Sequence, residues 1–201
     1  IIRLDIDEVA LLLDEVEQGE KLTDKQKSYH QKTKVRDLAL LTLLLGTGIR
    51  VSECVGLNIA DIDFKNGGIR IYRKGGKEVT VYFGTEVEDA LLDYLEERDR
   101  IIPEKGHEDA LFLSLQRRRM AVRSVENLVK KYARIVSPLK PITPHKLRST
   151  YGTNLYRETG DIYLVADVLG HSDVNTTKRH YAALEDERRR SARNKVRLRE
   201  K

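Results

Sequence analysis

Residues 68–83 read GIRIYRKGGKEVTVYF. Gly68 to Lys74 and Lys77 to Phe83 each alternate apolar and polar side chains, the period of a half-buried strand. Between them stands Gly75-Gly76. Primed hairpin turns need positive φ, which glycine adopts without steric cost. The stretch therefore predicts one antiparallel hairpin. Outward from it the period lengthens. Residues 5–17 carry Ile6, Val9, Leu12, Leu13 and Val16 at helical spacing. Residues 20–32 are polar and read as a loop or weak helix. Residues 33–45 read as an apolar helix capped by Thr33 and ended by Gly46 and Gly48, and Ser52 as the cap of a short helix over Glu53 to Leu57. Residues 84–98 and 121–135 read as helices. So does 144–158, with Thr143 as N-cap and Pro144 at the first helical position. Helices follow at 161–169 (stopped by Gly170), 173–183 and 184–199, and 111–115 (LFLSL) reads as a short strand or extended segment. The fold class is mainly α with a small antiparallel sheet. Neither a βαβ alternation nor a GxGxxG or GxxxxGK[ST] loop occurs, which disfavours nucleotide-binding α/β folds.

The chain has 201 residues, 40% of them hydrophobic, enough for a core at this length. Its longest apolar run, Leu38 to Leu45, is eight residues and contains Thr42. A membrane span needs about 20, so neither a span nor a secretory leader is expected. The single cysteine, Cys54, forms no internal disulfide, which fits a reducing cytoplasm. Net charge is +5 but unevenly spread. Residues 184–201 hold eight basic and four acidic side chains, so the body is almost neutral. A basic tail fits a polyanion, an acidic partner or a merely solvated helix end. Smaller basic clusters recur at Arg70/Arg73/Lys74, Arg117-Arg118-Arg119, Lys130-Lys131 and Lys178-Arg179-His180.

Four local features are candidates for chemistry. Arg50 follows the glycines 46 and 48 and stands three residues before Glu53, so it emerges where the chain leaves the core or simply pairs with Glu53. His145 and Arg148 share one helix face close to a helix N-terminus, where free N–H groups and the dipole attract phosphate. His171 follows Gly170 in a turn, as an exposed functional group or a capping residue. Tyr181 ends a polar stretch ten residues later. Together they fit one reaction, attack of a tyrosine hydroxyl on a phosphodiester to give a phosphotyrosine. Two arginines and the histidines supply donors for the charge on the non-bridging oxygens, each worth on the order of 10²–10³ in rate. A lysine at the hairpin tip supplies the leaving oxygen's proton. No H-E-x-x-H or clustered carboxylate set points to a metal.

With these residues in hand, the chain resembles the tyrosine recombinases of the phage-integrase type, most of all those of conjugative and integrative elements. The resemblance lies in TGIRVSECVGL (47–57), RKGGKEVTV (73–81), TPHKLRSTYGT (143–153) and LGHSDVNTTKRHYA (169–182), in family order over nearly the whole chain. It implies a DNA breaking-rejoining fold. It implies that Arg50 and Arg148 hold the scissile phosphate, His145 assists proton transfer, His171 donates to the phosphate, Lys74 is the general acid and Tyr181 the nucleophile. Glu53 matches a supporting acidic position, and Arg73, Lys77, Lys146 and Lys178 are expected to meet DNA. Lys77 is the alternative to Lys74. Tyr181 stands ten residues after His171 where many members have nine, and Tyr151 and Tyr156 are its rivals.

The implied function is site-specific recombination or integration through a 3′-phosphotyrosine, without metal, cofactor or ATP. The implied partners are double-stranded DNA and other copies of the chain, four on two duplexes, associating through residues 184–201. The expected organisation is a catalytic domain over 1–183 and a basic tail over 184–201. The family's N-terminal core-binding domain is expected to be missing, and stand-alone DNA affinity to be weak and steeply salt-dependent. The expected location is cytoplasmic, at the nucleoid. A non-catalytic helix-turn-helix binder and a DNA-relaxing topoisomerase are the other readings.

Overall fold

A computed structural model describes residues 2–199. The chain divides into two compact units, residues 2–151 and 152–201, with the boundary inside one helix between Tyr151 and Gly152. Among the described residues no helix is long and apolar enough to cross a membrane.

The first unit is built on a long helix. After α1 (Ile6–Gln18), α2 runs from Asp24 to Thr47. The polar stretch 20–32 is thus mostly regular helix, starting about ten residues before the Thr33 predicted as its cap. Thr23 is the cap: its hydroxyl accepts from Gln26 N, while the Gln26 side chain accepts from Thr23 N. That capping box satisfies two orphan N–H groups, and the following Lys and Gln residues are good helix formers. Thr33 lies mid-helix and donates to Tyr29 O. The C-terminal half of α2 is buried through Leu40, Leu41, Leu43 and Leu44. It packs on α1 and on α4 (Thr85–Arg98), and α1 also meets α5 (Val122–Val136). Gly46 stays helical, its open side facing Val87 of α4, and Gly48 in the left-handed region (φ 69°) ends the helix. Arg50, not Ser52, then caps α3 (Val51–Val55).

The hairpin forms as predicted, β2 (Gly68–Arg73) pairing with β3 (Lys77–Tyr82) in a register that sets Arg73 opposite Lys77. Gly75 and Gly76 both have positive φ, with Lys74 before them in the turn. A two-residue strand too short to read by period, β1 (Ile62–Asp63), adds a third member in the order β1-β2-β3. Ile69, Ile71 and Val81 face the core. Residues 110–113 are buried but bend at 111 and 112 and do not join that sheet, tied by isolated bridges from Asn58 to Ala110 and from Leu113 to Arg119. Their polar groups meet side chains: Tyr94 Oη donates to Leu111 O and accepts from Leu113 N, and the buried Arg98 donates to Glu108 O and Ala110 O.

Helix α6 (Pro144–Thr159) starts as predicted, with Lys146 N donating to Thr143 Oγ1. Its C-terminal part belongs to the second unit, with α7 (Ile162–Leu169), α8 (Val174–His180) and α9 (Ala182–Ala192). The helix expected over 173–183 breaks at Tyr181, whose backbone (φ −110°, ψ 20°) turns the chain between α8 and α9. The helix expected over 184–199 begins at 182 and stops at 192. Beyond it Val196 and Leu198 are exposed. Without an apolar stripe to bury, an arginine run has little to hold it helical.

Candidate active site

The candidate residues fall into two groups, one in each unit. In the first unit, Gly48 is the seat. A side chain there would need positive φ and would run into the Tyr151 ring. The Gly48 carbonyl accepts from Arg148 Nη1 at 2.5 Å, so the buried Arg148 is aimed by the backbone that ends α2. Two residues on, Arg50 caps α3 with its side chain 44% exposed. Glu53 folds back beneath it. Its Oε1 accepts from Arg50 N at 2.7 Å, and Oε2 lies 3.8 Å from Arg50 Nη1 and 3.4 Å from Arg73 Nε. The Arg50–Glu53 pair read as the plain alternative is therefore present. It is also more than that, because the same buried carboxylate ties the turn end of the hairpin to α3.

Arg73 differs from expectation in orientation. Its side chain is only 10% exposed and turns to Glu53 rather than outward to DNA. Lys74 and Lys77 stand exposed at the turn and at the start of β3. His145 is solvent-facing at the start of α6, with Lys146 beside it. Partial desolvation, and then the positive charges of Lys146, Arg148 and Arg50, push the His145 pKa below its ordinary value. Arg50 and Arg148 thus act as positive charges on His145 near the start of α6, electrostatics that suit an anion.

In the second unit, Gly170 (φ 74°) ends α7 and sets His171 in the turn. His171 Nδ1 lies 2.5 Å from the hydroxyl of the buried Thr177. That contact fixes the orientation of the imidazole ring. The Thr177 carbonyl accepts from Tyr181 N, so one threonine orients both residues. Tyr181 is 1% exposed. Its ring lies 6.3 Å from Tyr156 and 4.8 Å, edge-on, from His180, and its hydroxyl lies where a Cβ on Gly152 would project. Lys178 stands 5.3 Å from the Tyr163 ring. The rival tyrosines have packing roles: Tyr151 covers Gly48, Tyr156 lies under Arg188, and burial pushes both phenols up.

Thr177 and Gly152 escaped the sequence reading. A glycine inside a helical pattern (YGT, 151–153) is a usable sign of close approach. Thr177 leaves no such sign.

The fold is that of the catalytic domains of tyrosine recombinases. The crystal structure of XerA recombinase superposes with a TM-score of 0.79 and 28% identity, over all of this chain and 66% of that one. The XerH site-specific recombinase, bound to palindromic difH substrate in a post-cleavage complex, has the same fold (TM-score 0.77, 24% identity, 95% of this chain and 52% of that one). The tyrosine recombinase XerS of Streptococcus uberis is 37% identical over 188 residues, covering 91% of this chain and 52% of its own length. Residues 3–188 match the Phage integrase family, and the chain belongs to it. It spans about half the length of the curated relatives it matches.

Proposed function

We propose that the chain catalyses site-specific DNA strand cleavage and rejoining. The observation that carries this reading is Arg148 set on the Gly48 carbonyl, two residues before Arg50, with His145 one turn before Arg148 on α6. Family membership and the DNA-bound XerH relative support it. The Tyr181 oxygen attacks a DNA phosphorus, the bond to the 5′-oxygen breaks, and a 3′-phosphotyrosine forms. Arg50 and Arg148 neutralise the non-bridging oxygens, where charge gathers in the transition state. His171 donates to the same group, and His145 holds or moves a proton there. Lys74 protonates the departing 5′-oxygen. Glu53 and Arg73 support Arg50, and Lys77, Lys146 and Lys178 meet the DNA backbone. The 5′-hydroxyl of a partner strand then attacks the phosphotyrosine and regenerates the phenol. One phosphoester replaces another, so no ATP is consumed, and the donors of Arg50, Arg148 and His171 take the charge-neutralising part that a metal ion would otherwise play. Residues 1–183 act as the catalytic domain, and 184–201 link copies of the chain into a tetramer on two duplexes.

The test is trapping of a covalent adduct. The chain is incubated with nicked suicide duplexes randomised around the nick, and detergent-resistant complexes are isolated and sequenced. Enrichment of one sequence in the wild type and no adduct with Tyr181→Phe is expected. An adduct that survives Tyr181→Phe overturns the assignment.

A further inference from the structure

The basic triplet 117–119 suggests a polyanion surface, but its last member turns inward. Arg119 Nη1 donates to Val55 O and to Leu57 O, both at 2.9 Å, and Nη2 donates to Asn58 Oδ1 at 2.5 Å. Its backbone N–H donates to His107 Nδ1 at 2.9 Å, and it pairs with Leu113 across an isolated bridge. Arg117 likewise meets Glu104 (2.7 Å) and Ile102 O.

The acceptors of Arg119 all lie at the C-terminal end of α3 or just beyond it. That helix has five residues, too few to sustain itself. Gly56 N and Leu57 N donate to Ser52 O and Cys54 O, whereas Val55 O at the helix end takes Arg119, and that end carries partial negative charge. A guanidinium answers both needs. Because its donors form a rigid planar fork, it fixes where the carbonyls lie as well as satisfying them. At the other end of the same short helix stand Arg50 and Glu53, the latter against Arg73. One end of α3 therefore carries the phosphate-binding side chain and the other is held from a distant loop.

We propose that Arg119 is a positioning residue: by fixing the C-terminal end of α3 it aims Arg50 without touching substrate. The inference rests on the reading of Arg50 as a phosphate ligand. The experiment compares wild type, Arg119→Ala and Arg119→Lys by three measurements. These are the rise in melting temperature caused by sulfate, the salt dependence of DNA binding, and the rate of adduct formation on the selected suicide duplex. In both variants the sulfate-induced rise is expected to shrink by about half or more, since ligand stabilisation follows the affinity of the anion site. Adduct formation is expected to slow on the order of 10- to 100-fold, the cost of slight misplacement, at an unchanged salt slope. Arg119→Lys keeps the charge but not the fork, so it serves as the variant that folds if Arg119→Ala does not. A full sulfate response in a folded variant makes Arg119 a structural brace only and overturns the proposal. So does a salt slope lower by about one, the mark of a lost phosphate contact. If wild type forms no adduct yet shows a sulfate rise that both variants lose, the recombinase reading fails and the positioning of α3 stands.

Discussion

The two groups of candidate residues are prepared in opposite ways. Arg50 and His145 face solvent, and Arg148 is braced by a backbone carbonyl, so the group proposed to bind an anion is built before any anion arrives. Tyr181 is enclosed among aromatic rings and seated against a glycine. Keeping like charges together costs electrostatic energy that a phosphate returns, whereas burying a tyrosine stabilises the fold. On the proposed reading, charge is thus stored where phosphate would bind, and the oxygen assigned as nucleophile is kept from solvent.

That contrast can be broken most sharply at the tyrosine. Tyr181→Phe is expected to remove all covalent DNA adduct while the chain stays folded with a melting temperature only slightly lower, because the ring that packs is retained and the buried hydroxyl is worth about 1 kcal/mol. Adduct assays beside thermal melts check both halves. Next in size, Arg148→Ala or Arg50→Ala should each slow adduct formation by about 10²–10³. Only Arg148→Ala should also cost stability, about 1–3 kcal/mol from the lost charged hydrogen bond to Gly48 O. Urea unfolding separates the two arginines. Equal stability losses would mean that Arg148 is not braced as described.

Two glycines sharpen the comparison further. Gly48→Ala and Gly152→Ala should each destabilise by about 1–3 kcal/mol, by different routes. The first is strained by positive φ and meets Tyr151, while the second displaces the Tyr181 hydroxyl. Tyrosine fluorescence, which changes with ring environment, should respond in both.

The smallest effect concerns pH. The His145 pKa is lowered in the folded chain relative to about 6.5 in the unfolded chain. Where the unfolded state binds more protons, stability rises with pH. His145 therefore carries no penalty well above pH 6.5 and a growing one as the pH falls through that value to its folded pKa. Melting temperatures at pH 7.5 and pH 5.5 should fall less in His145→Gln than in wild type. Sulfate, by offsetting Arg50 and Arg148, should narrow that difference.

Some of this was legible without coordinates because it is local. Alternation around Gly75-Gly76, the Thr143-Pro144 start and the stops at Gly48 and Gly170 follow from backbone sterics and hydrogen bonding within a few residues. The start of α2 was equally local, since Thr23 and Gln26 spell a capping box, but a polar run after it concealed the helix. The identities of Arg50, His145, Arg148, His171 and Tyr181 as candidates also came from residue type and order.

What composition and spacing left undecided was direction. Arg73, Arg119 and Arg118 are the same letter in the same kind of basic cluster. The first turns to Glu53, the second to the end of α3, and the third lies exposed. Tyr181 ends a polar stretch and yet is almost wholly buried. A guanidinium goes where carbonyls or a carboxylate already converge, and a phenol goes where a glycine leaves room. Those acceptors and that room come from residues distant along the chain, so only tertiary packing selects among side chains that local sequence treats alike.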